Sequence, residues 1–263
     1  MRLIMDVGNT NLTFGVWDGK SFKAKWRMAT QTIDTEDQFF SSIYPLLTAS
    51  TIAVDHIESI AIACVVPGTV GIFNAFAKKY FRTTPVFVSP INGLDVTWKA
   101  DNNAEIGPDR IANVLGAKDY FGPNAIVLDF GSAINVDILY DNAFVGGSIL
   151  LGINTAMQAL FSKAAMIPPV DLFFEDHYLG TNTGDNIRIG LVNGTYHALE
   201  GITANIRNEL QKRSKKPVDK IPIIATGGLS GLFQFKGTFI DHFDDDLTLK
   251  GVVSFQNRVA NLI

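Results

Sequence analysis

Residues 2–19 read RLIMDVGNTNLTFGVWDG, and this stretch decides the fold. Its apolar run Arg2–Met5 predicts a buried strand that stops at Asp6. The polar turn Gly8-Asn9-Thr10 follows, and a second strand over Leu12–Trp17 is closed by Asp18-Gly19. We therefore expect a β-hairpin that carries a carboxylate at the end of its first strand.

Residues 125–142 read AIVLDFGSAINVDILYDN and repeat this pattern at an offset of 123 positions. The offset places Asp6 on Asp129 and Gly8 on Gly131, and both segments continue to an aromatic residue. Two short hairpins can share Asp-x-Gly by chance, which leaves coincidence as an alternative. We favour an internal duplication, with one domain over residues 1–115 and a second over residues 116–263.

The remaining pattern alternates strands and helices, which is typical of an α/β protein. Strands are expected at Phe22–Met28, Ile57–Val66, Pro85–Val88, Ala125–Leu128, Asn135–Tyr140 and Ile221–Ala225. Helices are expected at Thr35–Leu47, Val70–Tyr80, Asp185–Leu210 and Leu249–Ile263. A polar loop is expected over Asn92–Glu105.

Composition narrows the class of protein. Of the 263 residues, 47% are hydrophobic and 18% are charged, which provides ample core material and excludes a disordered chain. No apolar stretch approaches the roughly 18 residues of a spanning helix, and no leader opens the chain, so we expect neither a membrane protein nor secretion. The single Cys64 fits a reducing, cytoplasmic setting. The net charge of -4 gives no basic field for nucleic acid, which leaves small-molecule chemistry as the expectation.

The two hairpin turns suit a phosphate group. Glycine lets the backbone approach phosphate oxygens, amides and hydroxyls donate to them, and the carboxylate of Asp6 can hold Mg²⁺ through water. For either copy alone, an ordinary polar turn is the alternative. The second copy at Asp129-Phe130-Gly131-Ser132 and the later Thr226-Gly227-Gly228 favour nucleotide binding, because three such loops in this order are characteristic of actin-like ATPases and sugar kinases. The chain has neither a P-loop motif nor a dinucleotide fingerprint.

Asp109 and Arg110 form a further candidate constellation, within EIGPDRIAN at residues 105–113. A carboxylate there can accept a proton from a substrate hydroxyl, and the adjacent guanidinium can hold an anionic group. A solvent-facing acid near the start of the following helix is the alternative. Spacing alone does not decide between them.

These residues resemble the type III pantothenate kinases, members of the actin-like acetate and sugar kinase superfamily. The likeness covers essentially the whole chain, and the order and spacing of the motifs together make it specific. It rests on Asp6-Val7-Gly8-Asn9-Thr10, Val65-Val66-Pro67, Gly107-x-Asp109-Arg110, Asp129-x-Gly131 with Asp137, Gly146-Gly147-x-Ile149, Asn182-Thr183 and Thr226-Gly227-Gly228.

The resemblance implies an α/β fold of two duplicated RNase H-like (actin-like ATPase) domains with a nucleotide cleft between them. The implied reaction is the ATP-dependent phosphorylation of pantothenate to 4′-phosphopantothenate, the first step of coenzyme A synthesis, by a cytoplasmic homodimer. The implied cofactors are Mg²⁺ and a monovalent cation, K⁺ or NH₄⁺. Pantothenate and ATP are the implied small-molecule partners.

The resemblance also assigns site residues, motif by motif. Asp109 matches the catalytic base, and Arg110 is a candidate for holding the substrate carboxylate. The positions that match substrate contacts are Gly107, Pro108, Asp109, Arg110 and Thr183. The positions that match ATP contacts are Asp6, Val7, Gly8, Asn9, Thr10, Asn11, Leu12, Thr13, Ser132, Gly227 and Gly228. Asp129 matches the monovalent-cation ligand, and Asp6 is expected to hold Mg²⁺ through water.

The chain departs from the family pattern in three segments. The family's Gly-Ala-Asp-Arg is Gly107-Pro108-Asp109-Arg110 here, and its Ile-x-Pro-Gly is Ile149-Leu150-Leu151-Gly152. The family usually reads Gly-Thr-Ala-Thr-Thr after its second aspartate, where this chain has Gly131-Ser132-Ala133-Ile134-Asn135. Ser132 and Asn135 keep donors, whereas Ile134 offers none. Loss of one phosphate contact costs about 1.5–3 kcal/mol where the acceptor is charged. We therefore expect any weakening to affect ATP affinity and turnover more than the fold.

Two other functions stay open at this point. A catalytically weakened homologue that binds nucleotide or pantothenate in a regulatory role is favoured by the altered Ile134-Asn135 segment. A different small-molecule kinase or phosphatase-like ATPase on the same scaffold would not depend on Gly107–Arg110 for binding pantothenate. Retention of Asp6, Asp109 and Asp129 favours the active kinase, because a pure binding protein has little need of a placed base.

Overall fold

The structure is a computed structural model and describes residues 1–90, 94–163, 170–214 and 221–260. The packing divides the chain into two units. The first unit comprises Met1–Tyr120, Asn142–Phe144 and Asp246–Ile263, and the second comprises Phe121–Asp141 and Val145–Asp245. The domain boundary between residues 115 and 116 stays a prediction. It concerns the two copies of a duplicated sequence, whereas the two units are defined by which residues contact each other.

The described residues form β-strands and α-helices along the whole chain. Up to residue 121 the elements are β1 (Arg2–Val7), β2 (Asn11–Trp17), β3 (Phe22–Ala29), α1 (Glu36–Ala49), β4 (Ser59–Cys64), α2 (Val70–Phe81), β5 (Val86–Phe87), β6 (Thr97–Trp98) and α3 (Pro108–Phe121). The later elements are β7 (Ala125–Phe130), β8 (Ala133–Tyr140), β9 (Ala143–Leu151), α4 (Ile153–Lys163), α5 (Thr183–Arg188), α6 (Gly194–Ser214), β10 (Ile223–Thr226), β11 (His242–Phe243) and α7 (Leu247–Ala260). A π-helical turn, Ile189–Asn193, joins α5 to α6.

The sheet of the first unit has the strand order β3-β2-β1-β4-β5. Strands β1, β2 and β3 are antiparallel, as the hairpin turns require, whereas β4 and β5 run parallel to β1. Leu3, Met5 and Val7 alternate along β1 and belong to a buried cluster with apolar residues of α1 and α2. The side chains of Ile4 and Asp6 therefore project from the other face of this sheet.

The second sheet has the order β11-β10-β7-β8-β9-β6. Its strands β9-β8-β7-β10-β11 repeat the order of the first sheet, with β7 and β8 antiparallel and β10 and β11 parallel to β7. The strands β1 and β7 begin and end at the predicted offset of 123 positions. The repeated order and offset confirm the expected duplication and the α/β class.

Helix α7 belongs to the first unit and packs directly against α3. A β-carbon on Gly116 would lie 2.7 Å from the carbonyl oxygen of Leu247, so glycine is needed for this close approach. Arg258 of α7 donates to Asp95 at 2.6 Å and to Asp119 at 2.5 Å. These contacts fix the last described helix to residues more than a hundred positions earlier in the chain.

The structure corrects the sequence-based elements at several points. The predicted polar loop Asn92–Glu105 contains the short strand β6, and its positions 92 and 93 lie outside the described residues. The predicted helix Asp185–Leu210 begins at Thr183 and is interrupted by the π-helical turn. The predicted helix Leu249–Ile263 begins at Leu247, and its positions 261–263 lie outside the described residues. Strand β9 and helix α4 were not predicted.

Candidate active site

The first group of candidate residues lies at the carboxyl end of β1 in the first unit. The turn after Asp6 is closed by Gly8, whose amide donates to the Asn11 carbonyl at 3.0 Å. Thr30, the residue after β3, stabilises the turn: its hydroxyl donates to the Gly8 carbonyl at 2.7 Å, and its amide donates to the Thr10 carbonyl at 3.0 Å. The turn is thus held by hydrogen bonds from two directions.

The predicted ATP contacts in this turn divide into exposed and buried side chains. Asn9 and Thr10 are exposed, and Asn11 and Thr13 are partly buried. The side chains of Val7 and Leu12 are fully buried in the core of the first unit. Any contact from Val7 or Leu12 to a nucleotide must therefore come from the main chain.

The second group lies at the start of α3. Gly107 precedes the helix, Pro108 occupies its first position, and Asp109 and Arg110 complete its first turn. The Asp109 carboxylate accepts the Arg110 amide at 2.9 Å. A β-carbon on Gly107 would collide with Oδ1 of Asp109. Only glycine at position 107 leaves the carboxylate where it is.

These two groups lie at the same edge of the first sheet. Asp6 of β1 is in register with Ala63 of the parallel strand β4, so the carboxyl ends of both strands point the same way. The Val65 amide, just after β4, donates to the Val7 carbonyl at 3.0 Å. A β-carbon built on Gly107 would lie 3.9 Å from Cγ1 of Val65. The start of α3 therefore lies beside the strand ends that carry Asp6.

Burial raises the pKa of the Asp109 carboxyl above its ordinary value, and the bond from the Arg110 amide and the Arg110 charge oppose this only in part. A carboxylate with a raised pKa is a better proton acceptor than an exposed one. The Arg110 guanidinium lies 5.5 Å from the ring centre of Phe144, which is almost fully buried and also contacts the Trp98 ring. Phe144 thus supports the cation beside the candidate base.

In the second unit, Asp129 occupies in β7 the place that Asp6 occupies in β1. The following turn is closed by the Gly131 amide, which donates to the Ala133 carbonyl at 3.0 Å. The Ser132 carbonyl accepts from the Gly152 amide at 3.1 Å and from the Thr155 hydroxyl at 2.8 Å. The main chain of Ser132 is anchored in this way while its side chain is exposed.

Thr226 and Gly227 complete this group beside Asp129. Gly227 has φ +88°, and a β-carbon there would lie 2.6 Å from Oδ1 of Asp129 and 2.7 Å from the Phe130 amide nitrogen. Thr226 is in register with Asp129 on the neighbouring parallel strand. Its hydroxyl oxygen is buried and has no hydrogen-bond partner among the described residues. Gly228, which follows, is exposed.

The side chain of Ile134 projects from the face of β8 opposite to those of Ala133 and Asn135. Its side chain is 1% exposed and packs in the core of the second unit with Val136 and Ile138. Ala133 and Asn135, which alternate with it, are only partly buried. A hydroxyl at position 134 would enter this core, so the isoleucine there removes no exposed donor. The departure from the family pattern at Ile134 thus has a packing explanation.

Thr183 opens α5 and is exposed. The helix is capped by Asn182, whose side-chain oxygen accepts the Asp185 amide at 2.9 Å and whose amide donates to the Asp185 carboxylate at 2.6 Å. The first of these bonds satisfies one free backbone amide of the first turn, and the second holds the two side chains together.

The candidate groups can be tested against the expected ions. No cluster of three or more His, Cys, Asp or Glu side chains with metal-binding geometry occurs among the described residues. Mg²⁺ in kinases usually needs only one or two carboxylates, with water and substrate phosphates as further ligands, so Asp6 alone fits it. The Asp129 carboxylate and the unpartnered Thr226 oxygen supply oxygen ligands that fit a monovalent cation. In the same described ranges, we find no helix with the length and apolar character needed to cross a bilayer.

Sequence reasoning found the turns but missed the residues that support them. Phe144 contacts the Arg110 guanidinium. Glu175 is hydrogen-bonded to Arg188 of α5 and to Asn193 of the π turn. None of these four residues belongs to a motif quoted for the resemblance. A buried asparagine or glutamate has no local sequence signature, because its partner lies elsewhere in the chain.

Comparison with known proteins places these groups in a family. Residues 2–205 match the family model described as type III pantothenate kinase. A type III pantothenate kinase from Kosmotoga olearia is 48% identical over 262 residues, which cover 100% of this chain and 98% of that protein. The type III pantothenate kinase from Petrotoga mobilis is 35% identical over 263 residues and 100% of both chains.

Solved structures with the same fold extend beyond these relatives. A protein from Campylobacter jejuni described as a Baf family transcriptional activator has a TM-score of 0.62 at 18% identity, with 98% of this chain and 99% of that chain covered. A protein from Sinorhizobium meliloti described as a 2-dehydro-3-deoxygalactonokinase has a TM-score of 0.58 at 15% identity, with 98% and 97% covered. These likenesses show that this chain shares its fold with both proteins. From the full-length identities and the family match, this chain belongs to the type III pantothenate kinase family.

Proposed function

We propose that this protein transfers the γ-phosphoryl group of ATP to pantothenate and forms 4′-phosphopantothenate and ADP, the first step of coenzyme A synthesis. The observation that carries the proposal is the edge of the first sheet, where a braced turn after Asp6 lies beside a partly buried carboxylate, Asp109. Family membership supplies the substrate class. Phosphoryl transfer needs positioning, charge neutralisation and one base, and these residues provide each part.

Asp109 is proposed as the base. Its carboxylate accepts the proton of the primary hydroxyl of pantothenate as that oxygen forms a bond to the γ-phosphorus. The bond from the γ-phosphorus to the bridging oxygen breaks, and ADP leaves with the electron pair. Arg110, held against Phe144, is proposed to bind the pantothenate carboxylate, and Gly107, Pro108 and Thr183 to complete the substrate contacts.

The proposed ATP contacts fall into two groups. In the first unit they are the residues from Asp6 to Thr13, with Val7 and Leu12 contributing main-chain groups only. In the second unit they are Ser132, Gly227 and Gly228. Mg²⁺, when bound, neutralises charge on the transferring phosphates, and Asp6 would hold it through water.

We further propose that Asp129 and Thr226 hold K⁺ or NH₄⁺. Thr226 supports this because its buried hydroxyl has no partner in the described part of the chain, and a buried unsatisfied oxygen costs about 1–3 kcal/mol. A bound cation would satisfy it. The oxygen-only donor set suits an alkali or ammonium ion better than a transition metal.

A homodimer and a cytoplasmic setting complete the proposal. Large apolar side chains are exposed on the second unit, among them Ile149 at 63%, Leu151 at 58% and Leu179 at 88%. Ile149 and Leu151 lie two positions apart on β9 and therefore share one face of the strand, and such an exposed apolar face favours an interface. Light scattering should then give twice the 28.7 kDa of one chain. The free thiol of Cys64 suits the reducing cytoplasm.

The test is ADP release by the purified protein with MgATP and pantothenate, in K⁺ and in Na⁺, with the phosphorylated product identified by mass. We expect turnover that K⁺ stimulates and that Asp109→Asn lowers by about 10²–10⁴-fold. Unchanged turnover in Asp109→Asn would refute its role as the base. Absence of turnover in the unaltered protein, with ATP still bound in calorimetry, would instead support a weakened homologue.

A further inference from the structure

A set of hydrogen-bonded side chains lies around α5 in the second unit, and no step of the proposed phosphoryl transfer uses it. Its centre is Arg188, at the end of α5. The guanidinium donates from Nε to Oε1 of Glu175 at 2.5 Å and from a terminal nitrogen to Oδ1 of Asp185 at 2.6 Å. It also lies 4.3 Å from the ring centre of Phe173. The side chains of Arg188, Glu175 and Asp185 are 15%, 10% and 17% exposed, so the set is shielded from water.

Glu175 is fixed by its main chain as well as by its carboxylate. The Glu175 amide donates to Oδ1 of Asn193 at 3.0 Å, and Nδ2 of Asn193 donates to the Glu175 carbonyl at 2.8 Å. Asn193 is 1% exposed. The Asn193 side chain therefore satisfies both main-chain groups of Glu175, as a neighbouring strand would in a β-sheet.

The π-helical turn explains how Asn193 reaches this place. A π turn adds one residue to the helix, which rotates the residues before it by about 100° relative to those after it. Asn193 is the last residue of this turn, and Arg188 immediately precedes the turn. Both residues can therefore face Glu175 although they are five positions apart in one helical segment. Such turns are frequently retained at functional sites.

The set ends at Thr183. Asp185, held by Arg188, also holds the Asn182 cap in both directions, and Thr183 lies between these two residues. A β-carbon on Gly180 would lie 2.9 Å from the Asn186 amide nitrogen, so the incoming loop packs tightly on the same turn. An unbroken series of bonds thus runs from the buried Asn193 to the residues on either side of Thr183.

We propose that Arg188, Glu175 and Asn193 are positioning residues that set the place of the Thr183 hydroxyl and thereby the affinity for pantothenate. The proposal rests on the proposed function, because Thr183 is a substrate contact only there. The set acts on substrate binding and not on ATP or on the transfer step. It is absent from the motifs that led to the substrate assignment.

The experiment is a double-mutant cycle between Arg188→Lys and Thr183→Val. Lysine keeps the charge but cannot bond two carboxylates with one planar group. We expect each single variant to raise the KM for pantothenate about tenfold while kcat and the KM for ATP stay within about twofold, which is the signature of lost substrate binding. The double variant should show no larger KM than the larger single change, because Arg188 acts through Thr183.

A matched control comes from the same helical segment. Arg213 pairs with Glu209 on the exposed surface of α6, so Arg213→Lys makes the same change where no substrate contact depends on it. It should leave every kinetic constant unaltered. Glu175→Gln, which keeps shape and an acceptor oxygen, serves as the milder variant if Arg188→Lys unfolds, and it should raise the same KM.

Each outcome separates the inference from the function. An unchanged pantothenate KM in Arg188→Lys, or effects that multiply in the double variant, overturns the positioning role while the kinase stands. An unchanged KM in Thr183→Val overturns both the Thr183 contact and the inference. If the unaltered protein does not phosphorylate pantothenate, the proposed function fails. Hydrogen exchange at the Asp185 and Asn186 amides then tests the set directly: faster exchange in Arg188→Lys supports it, and unchanged exchange overturns it.

Discussion

Gly107→Ala tests whether the place of the Asp109 carboxylate controls catalysis. The added β-carbon would collide with Oδ1 of Asp109, whereas the nearest atom of any other residue, Cγ1 of Val65, is at an ordinary 3.9 Å. The carboxylate must retreat by about 1 Å to reach normal contact distance. A misplacement of about 1 Å can cost about 10²-fold in rate, or about 2.7 kcal/mol in the barrier.

The stability of the same variant should change little. The colliding atom is the end of a side chain that can rotate, and Gly107 has no left-handed backbone to strain. Alanine is a poorer cap than glycine at the start of α3, which costs about 1 kcal/mol. That corresponds to a fall of roughly 2–4 °C in Tm. We therefore expect a large loss of turnover in a protein that still folds.

The assay is steady-state ADP release with saturating MgATP, with thermal unfolding measured on the same samples. Gly71→Ala is the matched control, because a β-carbon there meets no atom within 4 Å and the residue lies in the exposed first turn of α2. It should keep full activity. Wild-type kcat/KM in Gly107→Ala would refute the argument, as would a loss of activity explained entirely by unfolding.

Three further predictions follow from charge and backbone geometry. Because burial raises the pKa of Asp109 above 3.8, kcat/KM should fall on the acid side at a pH above that value. In thermal melts, Asp109→Asn should be more stable than the wild type at pH 7; the difference should shrink as the pH falls through the raised pKa and disappear only below 3.8, where the carboxyl of the unfolded chain is protonated as well. Gly227→Ala, at φ +88°, should lose about 1–3 kcal/mol in urea unfolding, whereas Gly231→Ala, with open space around it, should not. Arg258→Met should lower the free energy of unfolding by about 1–3 kcal/mol at neutral pH. The loss should be smaller in acid once Asp119 is protonated, because burial raises the pKa of Asp119 and Arg258 more than offsets this.

The hairpins could be predicted because their signals are local. Apolar runs that stop at Asp6 and Asp129, followed by glycine turns, specify strands and turns within a few residues. The inward position of Ile134 was also available, since Ile134, Val136 and Ile138 alternate with Ala133, Asn135 and Asp137 as one buried face requires. The family motif indicates a lost hydroxyl at position 134, whereas the alternation indicates that the side chain at this position is buried.

Other features depend on distant partners and left no local trace. Strand β6 is only two residues long, and it forms because Thr97 and Trp98 find Ala143 and Phe144. In the sequence, Glu175 is indistinguishable from an exposed loop carboxylate. Its partner Arg188 lies thirteen positions later, and only the fold brings the two side chains together. The π turn ends at a buried asparagine, Asn193, whose partner Glu175 lies eighteen positions earlier, and composition alone does not reveal either.

The chain order of the two units has a consequence for synthesis on the ribosome. The first unit needs α7, which begins at Leu247, yet the whole of the second unit lies before it, between residues 121 and 245. At about 5–20 residues per second, the first 120 residues wait roughly 6–25 s for their last helix. During that interval Gly116 and Ala112 of α3 have no helix against them, because their contacts with Leu247 and Gly251 do not yet exist. The nascent first unit therefore exposes an apolar helix face that a chaperone can bind, and the second unit can finish folding before the first.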